Sequence, residues 1–394
     1  MNNFNIRNRK EIQKLAILTL NGYFNYGNRF QNYALQQTLL NYSNHVDTLL
    51  ISKNFKIDIK SKNDNPSLLI RIKRYNILEL LKKNLSFVLQ KTIGRKVIKK
   101  RKNLRHNAFV SFSKAYLNEI DLGITPQSIP DGLGTRYDFF VVGSDQVWNP
   151  TFPEFSELFF LTFVPKHKRV AYAPSFGLSE LPEEVKDNFS TWLSSMEYLS
   201  VREESGESII RNLTGRDVPV VLDPTMLLTK EEWLRVSTPL KTVPKKPYIL
   251  TYFLGTLDAK RGKEIKLFAK KNSLMIIQIN ELTSKYYTTG PGELISLINQ
   301  ATLILTDSFH GTVFSILFEK PFLTYKRVGR DDMYSRIETL FSLLHLENRE
   351  NMRLSDPNLC EIDYHEVKQL LEIERNKAFD YLSTCFNSNK YELI

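Results

Sequence analysis

The chain alternates short β-rich runs with segments of helical periodicity, and this alternation limits the fold more than any other feature of its 394 residues. Nine runs are rich in apolar and β-branched residues, and eight segments repeat apolar residues at three- and four-residue steps. Alternation of this kind indicates parallel sheets with helices on both faces. We expect strands at 14–20, 46–52, 137–143, 169–175, 218–223, 248–254, 275–279, 303–307 and 321–325, and helices at 28–42, 182–196, 203–213, 258–271, 292–300, 310–319, 334–346 and 363–385.

A charged stretch interrupted by Pro239, Pro244 and Pro247 predicts a linker between two domains. The sequence therefore predicts two doubly wound, Rossmann-like α/β domains, one over residues 1–235 and the other over 245–362. The last predicted helix opens the segment 363–394. It either crosses back onto the first domain or ends the second.

The net charge of +11 is concentrated in one segment of the chain. Thirteen Lys or Arg residues and a single acid lie between Arg71 and Arg105, so this segment carries +12 and the rest of the chain −1. Apolar residues recur at helical spacing between the lysines, which predicts a basic amphipathic helical insertion over 66–106 in the first domain. Such a helix can lie on an anionic membrane, or pack on its own domain with a solvated basic face. No nucleic acid is expected as a partner, because no recognised binding motif accompanies the charge.

Composition argues against several other classes of protein. No uncharged apolar run approaches the roughly 20 residues that a membrane-spanning helix needs, and no secretory signal is evident, so a cytoplasmic protein is expected. The two cysteines, Cys360 and Cys385, are not spaced as in a disulfide framework or a zinc site. No metal is expected, because no His or carboxylate cluster at ligand spacing is present.

In open α/β sheets, ligands bind beyond the carboxyl ends of the strands, so the loops after strands are the places to look for chemistry. The first such loop carries a glycine turn followed by Asn28 and Arg29 at a helix start, a setting that favours an anion. The second carries Asp145, which could orient or deprotonate a hydroxyl, with Gln146 and Trp148 as candidate contacts to a sugar. For this second loop, a helix cap and a buried tryptophan are the alternative interpretation.

Two later loops add further candidates. Arg202 lies at a strand end beside a helix start, where it could bind a carboxylate or pair with nearby acids. An apolar strand leads into Asp-Ser-Phe-His-Gly, which places His310 at a helix N-terminus between Ser308 and Gly311. A histidine in this position can bind a phosphate oxygen or transfer a proton.

Together these segments resemble the polysaccharide pyruvyl transferase family in order and spacing. The resemblance spans about residues 14–346. At the last motif the family carries an arginine two residues before the histidine, whereas this sequence has Ser308. A replacement positive charge is therefore expected from Arg29, Lys326 or Arg336. The segments that carry the resemblance are 25–36, 141–150, 171–177, 200–206, 221–225 and 306–321.

The resemblance implies a GT-B-like pair of domains with the active site between them and the donor on the C-terminal domain. It implies phosphoenolpyruvate as donor, with no further cofactor, and a sugar or lipid-linked oligosaccharide as acceptor, for cell-surface or exopolysaccharide synthesis. The product would be a cyclic pyruvate ketal. By motif position, His310 resembles the catalytic, donor-binding histidine of the family and Arg202 an arginine near the donor.

Chemical requirements assign the remaining roles. Adding a hydroxyl to phosphoenolpyruvate needs a proton donor for the methylene carbon, cations around its anionic groups and a group that orients the acceptor. We expect His310 to donate the proton or bind phosphate, and Asp145 to orient the acceptor. Two alternatives stay open: a glycosyltransferase that holds a nucleotide-sugar at the helix end after Gly311, and a membrane-surface adaptor acting through 66–106. The expected donor-binding residues are Arg202, Arg29, Ser308, Gly311 and Asn28.

Overall fold

A computed structural model describes residues 14–52, 94–327, 334–350 and 352–387. The described residues form two all-parallel sheets, which confirms the predicted α/β class with two Rossmann-like halves. The strands are β1 (Leu15–Leu18), β2 (Val46–Ile51), β3 (Glu119–Ile124), β4 (Phe139–Val142), β5 (Arg169–Ala171), β6 (Tyr248–Tyr252), β7 (Met275–Gln278), β8 (Leu303–Thr306) and β9 (Phe322–Thr324).

Ten α-helices lie within the described ranges. They are α1 (Tyr26–Leu39), α2 (Arg95–Tyr116), α3 (Glu183–Ser194), α4 (Glu204–Thr214), α5 (Lys230–Arg235), α6 (Ala259–Lys271), α7 (Pro291–Gln300), α8 (Phe309–Leu317), α9 (Ser335–Leu343) and α10 (Tyr364–Asn387). Short 3-10 turns occur at Leu133–Thr135, Glu157–Phe160, Lys166–Lys168, Pro224–Met226 and Glu347–Arg349. None of the helices within these ranges has the length and apolar character needed to cross a membrane.

The strand orders identify one candidate ligand crevice in each sheet. The first sheet runs β3-β2-β1-β4-β5 and the second β7-β6-β8-β9. In each sheet the connections leave in opposite directions from one pair of neighbouring strands, β1/β4 in the first and β6/β8 in the second. Ligands of doubly wound sheets bind beyond the carboxyl ends of such a pair. The loops after β1, β4, β6 and β8 are therefore the structural candidates for a site.

The two halves share an apolar interface. One continuous core cluster contains Leu15 and Phe30 of the first half together with Tyr252, Val313 and Phe314 of the second. The ring centroids of Phe30 and Phe314 are 4.7 Å apart. Helix α10 contacts both halves, because the Tyr364 hydroxyl donates to Lys320 O at 2.6 Å and the Tyr381 hydroxyl to Ala171 O at 2.9 Å.

The structure differs from the sequence expectations in several places, and α5 (Lys230–Arg235) is a helix that was not predicted. The run 218–223 is not a strand and forms only an isolated bridge between Val220 and Val201, since Pro219 within the run and Pro224 directly after it supply no backbone donors. Strand β3 was not predicted. It pairs only with β2, at the edge of the first sheet, and its mixed sequence Glu-Ile-Asp-Leu-Gly-Ile lacks the apolar run typical of a buried parallel strand.

Only the end of the predicted basic insertion over 66–106 lies within the described residues, because residues 66–93 fall outside them. The described end continues as α2 to Tyr116. Ile98, Arg105 and Phe109 are buried against the rest of the protein, while Lys96, Lys99, Lys100 and Lys102 are exposed. Helix α2 therefore packs on its own protein along one face and presents lysines on the other.

Candidate active site

The carboxyl ends of the two sheets meet where α1 and α8 begin. His310, the second residue of α8, lies directly against Gly27, the second residue of α1. A Cβ added to Gly27 would be 2.2 Å from His310 Nδ1. A helix N-terminus carries partial positive charge and unpaired N–H groups. Two of them therefore converge on one imidazole, an arrangement that favours an anion.

Local sequence explains both helix starts. The Ser308 hydroxyl accepts a hydrogen bond from Gly311 N at 3.3 Å, and the side-chain oxygen Oδ1 of Asn25 accepts one from Gly27 N at 2.9 Å, so each helix has a side-chain N-cap. Gly311 is required by close packing, because a Cβ there would lie 2.2 Å from Thr306 Oγ1. The structure thus gives Ser308 and Gly311 roles in placing His310.

Asp223 joins His310 to Arg202 in a buried network. Asp223 Oδ2 lies 3.5 Å from His310 Nε2 and 2.6 Å from Arg202 Nη1, and Ser144 Oγ donates to the same oxygen at 3.3 Å. Its other oxygen accepts from the N–H and the hydroxyl of Thr225 at 3.0 and 2.6 Å. Sequence reasoning did not assign Asp223, although it lies in the segment 221–225 that carries the family resemblance.

The environment of Asp223 keeps its carboxylate ionised. Burial alone would raise its pKa, but the charge and hydrogen bond of His310, followed by Arg202 and Thr225, outweigh burial and lower the pKa well below 3.8. A carboxylate that stays ionised here can orient the imidazole and stabilise its protonated form.

Asp145 and Asn28 lie beside this network. The backbone of Asp145 is left-handed, with φ of 64°, a conformation that is uncommon for a residue with a Cβ. Its carboxylate accepts from Asn28 Nδ2 at 3.1 Å and from Arg202 Nη2 at 3.4 Å. The structure therefore brings Asp145, Asn28, Arg202 and His310 together, from four separate segments of the chain.

Arg336, at the start of α9, adds a second buried guanidinium. It lies 5.6 Å from the ring centroid of Phe309, and Arg202 lies 4.6 Å from the same centroid. With the Gln146 amide oriented so that its oxygen faces Arg336, that oxygen accepts from Nη1 and Nη2 at 3.1 and 3.0 Å. Burial, followed by the charge of Arg202, lowers the pKa of Arg336 to about 10. A buried cation of this kind is stabilised by a bound anion.

We call the place where the N-termini of α1 and α8 meet the seam between the two halves. Several buried polar atoms at the seam have no hydrogen-bond partner among the described residues. They include Arg202 Nε and the Tyr252 hydroxyl at the end of β6, whereas His310 Nε2 faces Asp223 Oδ2 at 3.5 Å. Buried polar groups are nearly always paired, and unpaired ones concentrate at functional sites. These atoms are suited to contact a ligand.

The structure corrects the expectation for Trp148. The side chain has no exposed surface. Its ring stacks on Phe160 at a centroid distance of 5.4 Å, and the centroid of the Phe176 ring is 5.3 Å away. The indole N–H donates to Phe159 O at 2.9 Å. A ring packed in this way is not available to stack on a sugar. Gln146, two residues earlier, instead contacts Arg336.

Arg29 is also placed differently from the expectation. Its guanidinium is fully buried, forms an ion pair with Glu119 on β3 and donates to Ser113 Oγ at 3.1 Å. It is therefore held on the α2 and β3 side of α1, as a structural ion pair. Lys326 pairs with Glu338 and Glu350 at 3.3 and 2.9 Å, half-exposed to solvent. Of the three expected replacement charges, only Arg336 contacts Phe309 and Gln146.

The loop after β6 already holds an internal anion. The Asp307 carboxylate accepts from Leu254 N at 2.6 Å and Gly255 N at 2.7 Å, and Arg327 Nε lies 3.4 Å from it. Backbone N–H groups in such a loop are those that commonly bind phosphate. Here a carboxylate of the protein occupies them.

No group of three or more His, Cys, Asp or Glu side chains suited to hold a metal ion is found among the residues that the structure describes. At the seam lie Arg202, which is ion-paired with Asp223 and Asp145, together with Arg336, His310 and the two helix N-termini.

The fold and this seam define an α/β protein of two parallel-sheet halves with a buried, arginine-lined site between them. The family model for polysaccharide pyruvyl transferase matches residues 25–326, and the chain belongs to that family. A search of curated proteins found no match.

Solved structures of similar shape are distant in sequence. UDP-GlcNAc 2-epimerase from Neisseria meningitidis bound to UDP-GlcNAc is 13% identical, with a TM-score of 0.39 over 91% of this chain and 100% of that one. UDP-N-acetylglucosamine 2-epimerase from Rickettsia bellii is 9% identical, with a TM-score of 0.42 over 95% and 98%. Apo UGT2 from Phytolacca americana is 10% identical, with a TM-score of 0.40 over 93% and 94%.

Proposed function

We propose that the protein transfers a pyruvyl group from phosphoenolpyruvate to two hydroxyls of a saccharide, forming a cyclic ketal for a cell-surface or exopolysaccharide. Membership of the family supports a transferase. The observation that carries the proposal is the convergence of Arg202, Arg336 and His310 on the seam where α1 and α8 begin. Phosphoenolpyruvate carries a carboxylate and a phosphate, which matches a site with two guanidinium groups and two helix N-termini.

In the proposed reaction, the oxygen of the first acceptor hydroxyl bonds to C2 of phosphoenolpyruvate and this hydroxyl releases its proton, while the methylene carbon of phosphoenolpyruvate takes a proton and becomes a methyl group. A second hydroxyl then bonds to the same carbon, phosphate leaves with the C–O bond electrons, and the proton of that hydroxyl is released. His310 supplies the proton to the methylene carbon or binds the phosphate, and Asp223 holds the imidazole and stabilises its charged form. Asp145 orients the acceptor hydroxyl. No cofactor is proposed beyond the donor itself.

Arg336 takes the place of the arginine that the family carries at the position of Ser308. Ser308 caps α8, so it offers no charge to a donor. Arg336 arrives from α9 and lies within 5.6 Å of Phe309, the residue between Ser308 and His310. A positive charge is thus supplied from another element at nearly the same place.

The alternative donor is a nucleotide-sugar held at the N-terminus of α8. The loop after β6 offers it no second phosphate site, because the Asp307 carboxylate occupies the backbone N–H groups of Leu254 and Gly255. A membrane adaptor without catalysis is also disfavoured, because an adaptor has no need for a buried network of Asp223, Arg202 and His310.

Phosphate release from phosphoenolpyruvate tests the proposal. Purified protein is assayed with a panel of nucleotide- and lipid-linked sugars, alongside His310→Asn and a control, His365→Asn, on the exposed face of α10. We expect acceptor-dependent release in the wild type and the control, and its loss in His310→Asn. No release with any acceptor, together with thermal stabilisation by a nucleotide-sugar, would replace this proposal with glycosyl transfer.

We further propose that the protein acts at the cytoplasmic face of the membrane, where a lipid-linked acceptor would be found. The exposed lysines of α2, with Val97 and Leu104 half-exposed among them, fit contact with anionic headgroups. Charge reversal of Lys96, Lys99 and Lys100 to Glu should abolish sedimentation with phosphatidylserine vesicles at low salt. Unchanged sedimentation would refute the membrane contact and leave the catalytic proposal intact.

A further inference from the structure

Tyr252, the last residue of β6, packs against the starts of both α1 and α8. Its ring centroid lies 5.7 Å from that of Tyr26, the first residue of α1, in an edge-to-face contact. A Cβ added to Gly311 would lie 3.1 Å from Tyr252 Cδ1. Tyr26 directly precedes Gly27 in the chain. Gly311 directly follows His310, so the Tyr252 ring lies beside the contact that joins the two halves at the seam.

The hydroxyl of Tyr252 is buried and has no hydrogen-bond partner among the described residues. The whole residue is only 3% exposed. Two tyrosines close to it show the usual arrangement. Tyr248, on the same strand, donates its hydroxyl to Leu297 O at 2.7 Å, and Tyr26 donates to Thr289 O at 2.7 Å. Because a buried hydroxyl without a partner costs free energy, the Tyr252 hydroxyl is suited to bind an acceptor that a ligand brings.

The groups around this hydroxyl favour an anion as that acceptor. Burial raises the pKa of Tyr252 to about 12, against the opposing effects of the Ser308 side chain and of the charge on Arg105. Farther contributions come from Asp307, which raises the pKa, and Arg327, which lowers it. The phenol is therefore neutral at ordinary pH and can donate its proton to a hydrogen bond. Two guanidinium groups and one carboxylate act on it, a positive balance that attracts an anion.

The guanidinium groups of the seam lie around a different side chain. Arg202 and Arg336 are 4.6 and 5.6 Å from the ring centroid of Phe309. Tyr252 instead lies near Ser308, the residue that caps α8. A planar guanidinium matches a carboxylate, whereas a helix N-terminus commonly binds phosphate. A ligand that carries both groups therefore fits with its carboxylate towards Arg336 and its phosphate at the start of α8, beside Tyr252.

We propose that the Tyr252 hydroxyl donates a hydrogen bond to the phosphate group of the donor substrate, a proposal that rests on the proposed pyruvyl transfer for the identity of that donor. A hydrogen bond to an ionised oxygen is of the stronger kind. When phosphate leaves with the electrons of the C–O bond, negative charge grows on its oxygens. A neutral hydroxyl that is already in place stabilises this charge without rearranging. Tyr252 thus holds the donor and assists the loss of phosphate.

The variants Tyr252→Phe and Tyr248→Phe form a matched pair, because each removes one buried hydroxyl from β6. In phosphate-free buffer, Tyr252→Phe should melt at or above the wild-type temperature, since it loses no internal hydrogen bond. Tyr248→Phe should melt about 2 °C lower, since it loses the bond to Leu297 O. Inorganic phosphate should raise the melting temperature of the wild type and of Tyr248→Phe above that in sodium chloride of equal ionic strength. Tyr252→Phe should lose most of this rise.

Steady-state kinetics supply a second measurement. The KM for phosphoenolpyruvate should rise roughly 10- to 100-fold in Tyr252→Phe, which is the loss expected for one hydrogen bond to a charged group. The kcat should fall as well, while the KM for the acceptor stays unchanged. Tyr248→Phe should keep the wild-type values of all three.

The outcomes separate a ligand contact from a structural role. A phosphate-induced rise that is retained in Tyr252→Phe overturns the proposal, and so does an unchanged KM for phosphoenolpyruvate. A lower melting temperature of Tyr252→Phe in phosphate-free buffer, like that of Tyr248→Phe, assigns the hydroxyl an internal bond and also overturns it. If the wild type turns over no phosphoenolpyruvate with any acceptor, the proposed function fails. Loss of the phosphate-induced rise in Tyr252→Phe then still supports the phosphate contact, which keeps the two failures distinguishable.

Discussion

His310 and Gly27 are in contact across the two halves of the molecule, and the contact leaves no room for a side chain on the glycine. The α-carbon of Gly27 faces the imidazole so closely that an added Cβ would be 2.2, 2.7 and 2.9 Å from Nδ1, Cε1 and Cγ. The glycine therefore serves the position of the histidine. Helix formation at this position does not require a glycine.

Gly27→Ala should lower activity without unfolding the protein. The added methyl group displaces the imidazole from Asp223, and a displacement of about 1 Å can cost about 100-fold in rate. The measurement is kcat for phosphate release together with thermal unfolding. The control is Gly262→Ala in α6, where the new Cβ would meet Leu257 Cδ2 at 3.7 Å, an ordinary contact. We expect the control to keep full activity, and equal activity in both variants would contradict the role of the glycine.

Replacing Arg336 should weaken donor binding. A hydrogen bond to a charged group contributes about 1.5 to 3 kcal/mol, so Arg336→Met should raise the KM for phosphoenolpyruvate roughly 10- to 100-fold. Arg336→Lys should recover only part of the loss, because an ammonium group lacks the planar fork of a guanidinium. Lys326→Met serves as the control and should leave this KM unchanged. A large effect of Lys326→Met with none of Arg336→Met would exchange their roles.

Arg29 should matter for stability and not for the donor. Arg29→Met leaves Glu119 as a largely buried, unpaired carboxylate, and breaking a buried ion pair costs about 3 to 5 kcal/mol. Urea unfolding should show this loss, and adding Glu119→Gln should recover much of it. A double-mutant cycle on the free energy of unfolding measures the coupling. If the single variant is as stable as wild type but has a raised phosphoenolpyruvate KM, Arg29 binds the donor after all.

The pH dependence of stability should report on Asp223. Because the pKa of Asp223 is lower in the folded protein than its ordinary 3.8, its contribution to stability is complete above that value and is lost as pH falls below it. Asp223→Asn removes the contribution, at a cost of about 3 kcal/mol near neutral pH. The difference in unfolding free energy between wild type and variant should stay constant above about pH 5 and shrink at lower pH. A difference that does not change down to pH of about 3 would contradict the lowered pKa.

The sequence predicted the local parts of this site well. The apolar strand β8, the polar loop and the start of α8 follow from short-range patterns, which is why Ser308, His310 and Gly311 could be placed in advance. The same holds for Asp145 and Arg202, which both follow strand-like segments. These residues lie in the predicted loops because backbone periodicity is a local property of the chain.

The contacts between loops could not be predicted in the same way. His310 and Asp223 are 87 positions apart, and Arg336 approaches Phe309 from a helix whose apolar pattern says nothing about its polar neighbours. Trp148 was predicted to contact a sugar but is buried. A tryptophan after a strand has the same sequence pattern whether it is buried or exposed. Burial and pairing of single side chains depend on tertiary packing.

Helix α10 follows both halves in the chain, yet it bonds to both. Arg375 donates to Met226 O at 2.7 Å and Leu228 O at 3.0 Å, between the anchor points at Lys320 and Ala171. During synthesis the two sheets leave the ribosome before α10, the helix that bonds to both of them. A nascent chain can therefore form each sheet before α10 is available to link the two halves.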